Sequence, residues 1–134
     1  MLLLDSEALS AIAHGPPARR DKVRALIGEM RARGLPIATV ASVLAELVRC
    51  RPADAAVFAG LRRERVEVRP VDTRVGVRAG RLLGRIQAGS KMAVDAFTVA
   101  VADLDGGGIV ATTDVRDLKR LAIHATRVVV VDIG

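Results

Sequence analysis

Aromatic rings are nearly missing from this chain of 134 residues: there is no Trp and no Tyr, and Phe occurs twice. Modules that read single strands by stacking bases on exposed rings, the RRM-like and OB-like modes, are disfavoured by that absence. Cysteine occurs once, as Cys50, which excludes a disulfide framework and a cysteine-rich zinc site. Histidine occurs twice, and His14 and His124 stand far from every acid motif, so neither reads as a ligand. No apolar run approaches the ~20 residues that cross a bilayer. The opening "MLLLDSEAL" has no basic leader and meets an acid at position 5, unlike a signal peptide. The expectation is a soluble cytoplasmic protein with no membrane partner.

What the chain does have is aliphatic. Its hydrophobic fraction is 51%, drawn from Ala, Val, Leu and Ile, and its length suits a single domain over 1–134 with a real core. The net charge is +6, and eighteen of the twenty-one basic residues are Arg. Such a surplus fits a polyanionic partner such as nucleic acid. It fits equally a GC-rich genome and a solvated surface, and composition does not choose between them.

Apolar runs of strand length alternate with segments of helical period, which predicts an α/β protein with a largely parallel sheet. Strands are expected at 1–4, 35–39, 66–71, 109–112 and 128–131. Helices are expected at 6–13, 18–33, 42–50, 52–63, 73–87 and 91–104, with a further helical turn at 115–121. Gly15, Pro16 and Pro17 separate the first two helices, Gly34 closes the second, and Asp72 or Thr73 caps the helix that runs to Gln87. Continuously apolar strands joined by helices imply a three-layer α/β/α arrangement, the mostly parallel five-stranded sheet covered on both faces. "GGG" at 106–108 precedes a strand, the wrong context for cradling phosphate, and reads as a tight turn.

In open sheets of this kind, sites form beyond the carboxyl ends of the strands. Asp5 follows the first strand directly and Asp114 follows the fourth; Glu46 lies on the helix after the second. Asp95 is the sharpest anomaly, because Met92, Ala93, Val94, Ala96, Phe97, Val99 and Ala100 surround it with apolar surface. Burying an unpaired carboxylate is costly, so a cation or a shifted pKa should neutralise it. For one acid a partner Arg or a helix end suffices; for four converging acids a shared divalent ion is the simpler account.

The stretches "LLLDSEAL" (2–9), "VASVLAEL" (40–47), "VDAFTVAVA" (94–102) and "ATTDVRDL" (111–118) occur in the order and at the separations of a known family. Across essentially its whole length the chain resembles the PIN-domain nucleases, with a PIN / 5′-nuclease-like fold, and particularly the VapC-like toxins of type II toxin–antitoxin pairs. The resemblance implies Asp5, Glu46, Asp95 and Asp114 as the acids of the site, with Asp117 as an additional or alternative fourth. Leu118 stands where the family commonly has Phe, a difference of packing rather than chemistry. Carboxylates without His or Cys suit Mg²⁺ or Mn²⁺ rather than zinc.

The implied activity is hydrolysis of RNA phosphodiesters by a metal-dependent endoribonuclease. The implied partners are the RNA substrate, a cognate antitoxin protein and a second copy of the chain in a homodimer. Asp5 and Asp95 are expected as principal ligands, Asp114 as completing the site, and Glu46 as binding directly or through water. Ser6 and Thr112 are expected to orient water or carboxylates. Arg116, between the two terminal acids, is the first candidate for a phosphate contact. Arg78 and Arg81 follow, from the stripe Arg74, Arg78, Arg81 and Arg85, of which Arg74 and Arg85 read rather as solvated face. The competing reading is a non-catalytic PIN-like domain that binds RNA or protein. A receiver-like phospho-acceptor ranks lower, because it expects paired acids after the first strand and a strand-end Lys.

Overall fold

Three consecutive leucines, Leu2–Leu4, are fully buried and form the central strand β1 of a computed structural model that describes residues 1–134. Around it lie β2 (Ile37–Val40), β3 (Glu67–Arg69), β4 (Gly108–Thr112) and β5 (Val128–Asp132), all parallel, in the order β3-β2-β1-β4-β5. Leu4 pairs with Ala111 in β4, and Leu3 with Ala38 in β2. The strand order turns back between β1 and β4, which makes the crevice beyond their carboxyl ends the switch point of the sheet.

The helices are α1 (Ser6–His14), α2 (Pro17–Ala32), α3 (Ala41–Leu47), α4 (Asp54–Arg63), α5 (Thr73–Arg85), α6 (Ala93–Leu104) and α7 (Val115–Ala122). α1, α2 and α4 pack together, as do α5, α6 and α7. Right-handed crossovers put the two groups on opposite faces, giving the three layers. Leu9, Ile12, Val23 and Ile27 seal one face; Leu82, Val99, Leu118 and Leu121 seal the other.

Each expected strand is present, with ends that shift by one or two residues. The larger differences are at helix ends. The helix carrying Glu46 stops at Leu47 rather than Cys50, because the Asp54 carboxylate accepts the Arg49 and Arg51 amides and folds the chain into a turn with Cys50 at φ 57°. The next helix accordingly begins at Asp54 rather than Pro52. α5 ends at Arg85, short of Gln87 at φ 53°, and residues Ser90–Met92 form a 3₁₀ turn before α6. Asp72 caps α5 by accepting the Val75 amide at 2.9 Å. The triple glycine is a turn as expected: Gly107 has φ 114°, and a Cβ there would lie 2.7 Å from the Arg127 Cβ and carbonyl oxygen.

Candidate metal-binding acid site

The switch point gathers its acids through backbone as much as side chain. The Asp5 amide donates to the Ala111 carbonyl at 3.3 Å, tying the ends of β1 and β4. The Asp5 carboxylate accepts the Ala8 amide at 2.9 Å and so caps α1. Thr112, fully buried at the end of β4, accepts the Asp114 amide on its hydroxyl at 2.8 Å. Burial pushes the Asp5 pKa up to about 6, against the pull of the Thr112 hydroxyl and the Ala8 amide, while Glu7 raises it further. Thr112 therefore touches both strand-end acids, as expected of a residue that orients them. Ser6 opens α1 beside Asp5 and its hydroxyl has no partner within the protein.

Asp95 stands in the first turn of α6, because α6 runs down into β4 and leaves its amino end at the carboxyl edge of the sheet. Its pKa is likewise raised to about 6, first by burial and then by Asp114, Asp5, Glu46 and Asp117 in that order. All five predicted acids thus share one field, although Asp5 and Asp117 are 112 positions apart in the chain. Glu46 is raised as well, by burial and then by Glu7, with Arg49 opposing. None of Asp5, Glu46, Asp95 and Asp114 has a basic side chain within 4.0 Å, in a chain rich in arginine.

As the side chains stand, no three His, Cys, Asp or Glu residues are close enough together to hold one ion. The donor set nevertheless suits a hard divalent cation. It is all oxygen, it has no ion-pair partner at Asp5, Glu46, Asp95 or Asp114, and the Glu46 and Asp95 carboxylates accept no hydrogen bond that would keep them from turning inward. Asp114 and Asp117 differ in role. Asp114 caps α7, accepting the Asp117 amide at 3.5 Å, and acts on Asp95 more strongly than any other acid. Asp117 acts on Asp95 least of the four, and Arg120 pairs with it at 3.6 Å.

The arginine stripe divides. Arg78 donates to the Asp103 carboxylate at 2.5 Å and to the His124 carbonyl at 2.8 Å, near the carboxyl end of α6. That is two helical turns from Asp95, on the order of 12 Å along the axis. Arg78 is thus a brace between α5 and α6, not a free phosphate contact. Arg81 lines a shallow pocket with Arg74, Arg78 and Leu104 toward the same end. Arg85 is exposed, as a solvated face requires, and it also lines a concavity with Arg116, because α5 runs antiparallel to α6 and delivers its last turn to the acid edge. Glu7 was also missed. Its first-turn place on α1 has an ordinary helix-end explanation, and only its position two residues after Asp5 hinted that it would join the field. It pairs with Arg19 at 3.5 Å. None of the surface concavities is lined by the site's acids.

A family model for the PIN domain matches residues 2–124. The fold is similar to that in the crystal structure of VapBC2 from Rickettsia felis bound to a DNA fragment from their promoter. The TM-score there is 0.70 at 14% sequence identity, covering 98% of this chain and 97% of that one. It is similar also to that in the crystal structure of DNA-bound VapBC from Salmonella typhimurium, with a TM-score of 0.67 at 19% identity, covering 99% and 98%. At these identities the likeness is one of fold. No curated protein matches the sequence.

Proposed function

The chain belongs to the PIN-domain family, and from that premise we propose that it is a divalent-metal-dependent endoribonuclease, the toxin of a toxin–antitoxin pair. The observation that carries the reading is the convergence of five carboxylates without a basic partner at the first four, with Asp5 raised to about 6 by burial and Glu7, and Asp95 raised to about 6 by burial and the other four acids. A fold gains nothing from placing such a cluster at the end of its central strand unless a cation is to sit there.

Asp5, Asp95 and Asp114 would hold the ion, Glu46 directly or through water, with Asp117 at the rim. A bound Mg²⁺ or Mn²⁺ supplies an activated water and polarises a phosphoryl oxygen. Thr112 keeps Asp5 and Asp114 in register by contacting both. The α7 amino end leaves backbone N–H groups beside Asp114, and Arg116 brings a guanidinium to the same turn, so a phosphate there meets positive charge next to negative. The VapBC assemblies of similar fold are toxin–antitoxin complexes, which supports a cognate antitoxin as partner; a homodimer as the working form is part of the same proposal.

The test is cleavage of a mixed RNA pool by the purified protein with Mn²⁺ or Mg²⁺, with EDTA, and with Asp95→Asn. Cleavage that needs both the ion and Asp95 is the expected result. Calorimetric absence of any divalent-ion binding would sink the reading.

A further inference from the structure

An acid site repels RNA, so the substrate must be held by charge elsewhere. We propose that the concavity between the last turn of α5 and the outer face of α7 is that holding surface. It is a track for the RNA phosphate backbone formed by Arg85, Arg116, Lys119 and Arg120 over Ile86 and Ile123. The inference deepens the ribonuclease reading and rests on it for the identity of the polymer.

Three observations carry it. The four cations come from two helices and converge on one open groove of about 520 Å³, which a single solvated helix face does not do. Arg85, Arg116 and Lys119 have no carboxylate within 4.0 Å, whereas Arg69 and Arg78 are paired with Asp105 and Asp103. The groove also runs into the acid site. Arg120 pairs with Asp117 at 3.6 Å and reaches the Met92 sulfur at 3.9 Å, just ahead of the helix that carries Asp95. Ile123, 78% exposed, gives the track an apolar floor against which sugar faces can rest. A strand lying along it would pass from Arg85 to Arg116 and present its next phosphate between Asp114 and Asp117.

The experiment measures binding of a short fluorescein-labelled single-stranded RNA by anisotropy, in EDTA and in the Asp95→Asn background, from about 50 to 200 mM salt. Each phosphate contact adds about 0.7 to the slope of log affinity against log salt. Arg85→Ala with Lys119→Ala should therefore lower the slope by about 1.4, as two lost contacts, and Arg74→Ala with Arg81→Ala should leave it unchanged. All four positions are exposed or half-buried, and matched melting curves check that the fold is intact. A slope that falls only for the Arg74 and Arg81 pair overturns the track, as does RNA binding with no salt dependence, which would mean that no phosphates are held by charge. Cleavage by the Asp95-containing protein is read separately. A lowered slope without cleavage at any metal would sink the nuclease reading while leaving the track in place.

Discussion

At the scale of single residues, the site is a set of carboxylates held at a cost. Asp95 suffers burial and the field of four other acids, and removal of its charge relieves both. Asp95→Asn should therefore abolish metal-dependent cleavage yet stabilise the metal-free protein at neutral pH, by about 1 kcal/mol after allowing for its partial exposure. Thermal melts in EDTA give the sign; a destabilised variant would mean that Asp95 has a native partner. Thr112 makes the complementary case. Thr112→Val keeps the volume but strands the Asp114 amide and frees Asp5, and should weaken Mn²⁺ binding by roughly 10- to 100-fold. Calorimetry reads this directly. Of these residues, Asp5, Glu46, Asp95 and Asp114 were legible in the sequence because each breaks a local rule, an acid inside an apolar run or at the mouth of a strand. Glu7, which joins their field, was not, because it obeys one.

At the scale of elements, α5 shows how one helix serves two ends of the molecule. Its period reads as a uniform stripe of arginines, but antiparallel packing against α6 sends Arg78 to Asp103 and Arg85 toward the acids. Asp103 confirms the pairing. Burial would raise its pKa, yet the Thr126 amide and the Arg78 guanidinium hold it below its ordinary value. Arg78→Ala should cost about 1.5–3 kcal/mol of stability, the range of a hydrogen bond to a charged group, without changing the salt dependence of RNA binding. Denaturant titration and the anisotropy assay separate the two effects. Helix termini were the least legible elements for a related reason. α3 ends where Asp54, seven positions beyond Leu47, captures the Arg49 and Arg51 amides, and no pattern inside α3 announces it.

At the scale of the whole molecule, the acid cluster makes stability depend on pH and, under the proposed function, on divalent ions as well. Asp5 and Asp95 have folded pKa values of about 6, above their unfolded values. They therefore bind more protons when folded, and stability falls as pH rises from about 4 through about 6. For Asp5 the loss is roughly 3 kcal/mol, and for the more open Asp95 it is smaller. A bound divalent ion reverses this above pH 6, where it replaces the protons as the neutralising charge. Mn²⁺ should raise the melting temperature clearly at pH 7.5 and little at pH 5, where protons already occupy the carboxylates. An equal shift at both pH values would place the ion elsewhere.

The alternation of buried strands and amphipathic helices, the parallel sheet and the chain positions of the four candidate acids were all determined by sequence alone. Each depends on periodicity or on a charge set against its immediate neighbours, and both are local. The strand order is different, because Leu4 pairs with Ala111 across more than a hundred residues and no local pattern encodes that partner. Only that pairing brings Asp5 beside Asp114 and Thr112, and only the direction of α6 brings Asp95 to the same edge. The tertiary structure likewise sorted the cations. An arginine's role depends on which carboxylate or groove it reaches, and that is decided by packing between helices distant in sequence.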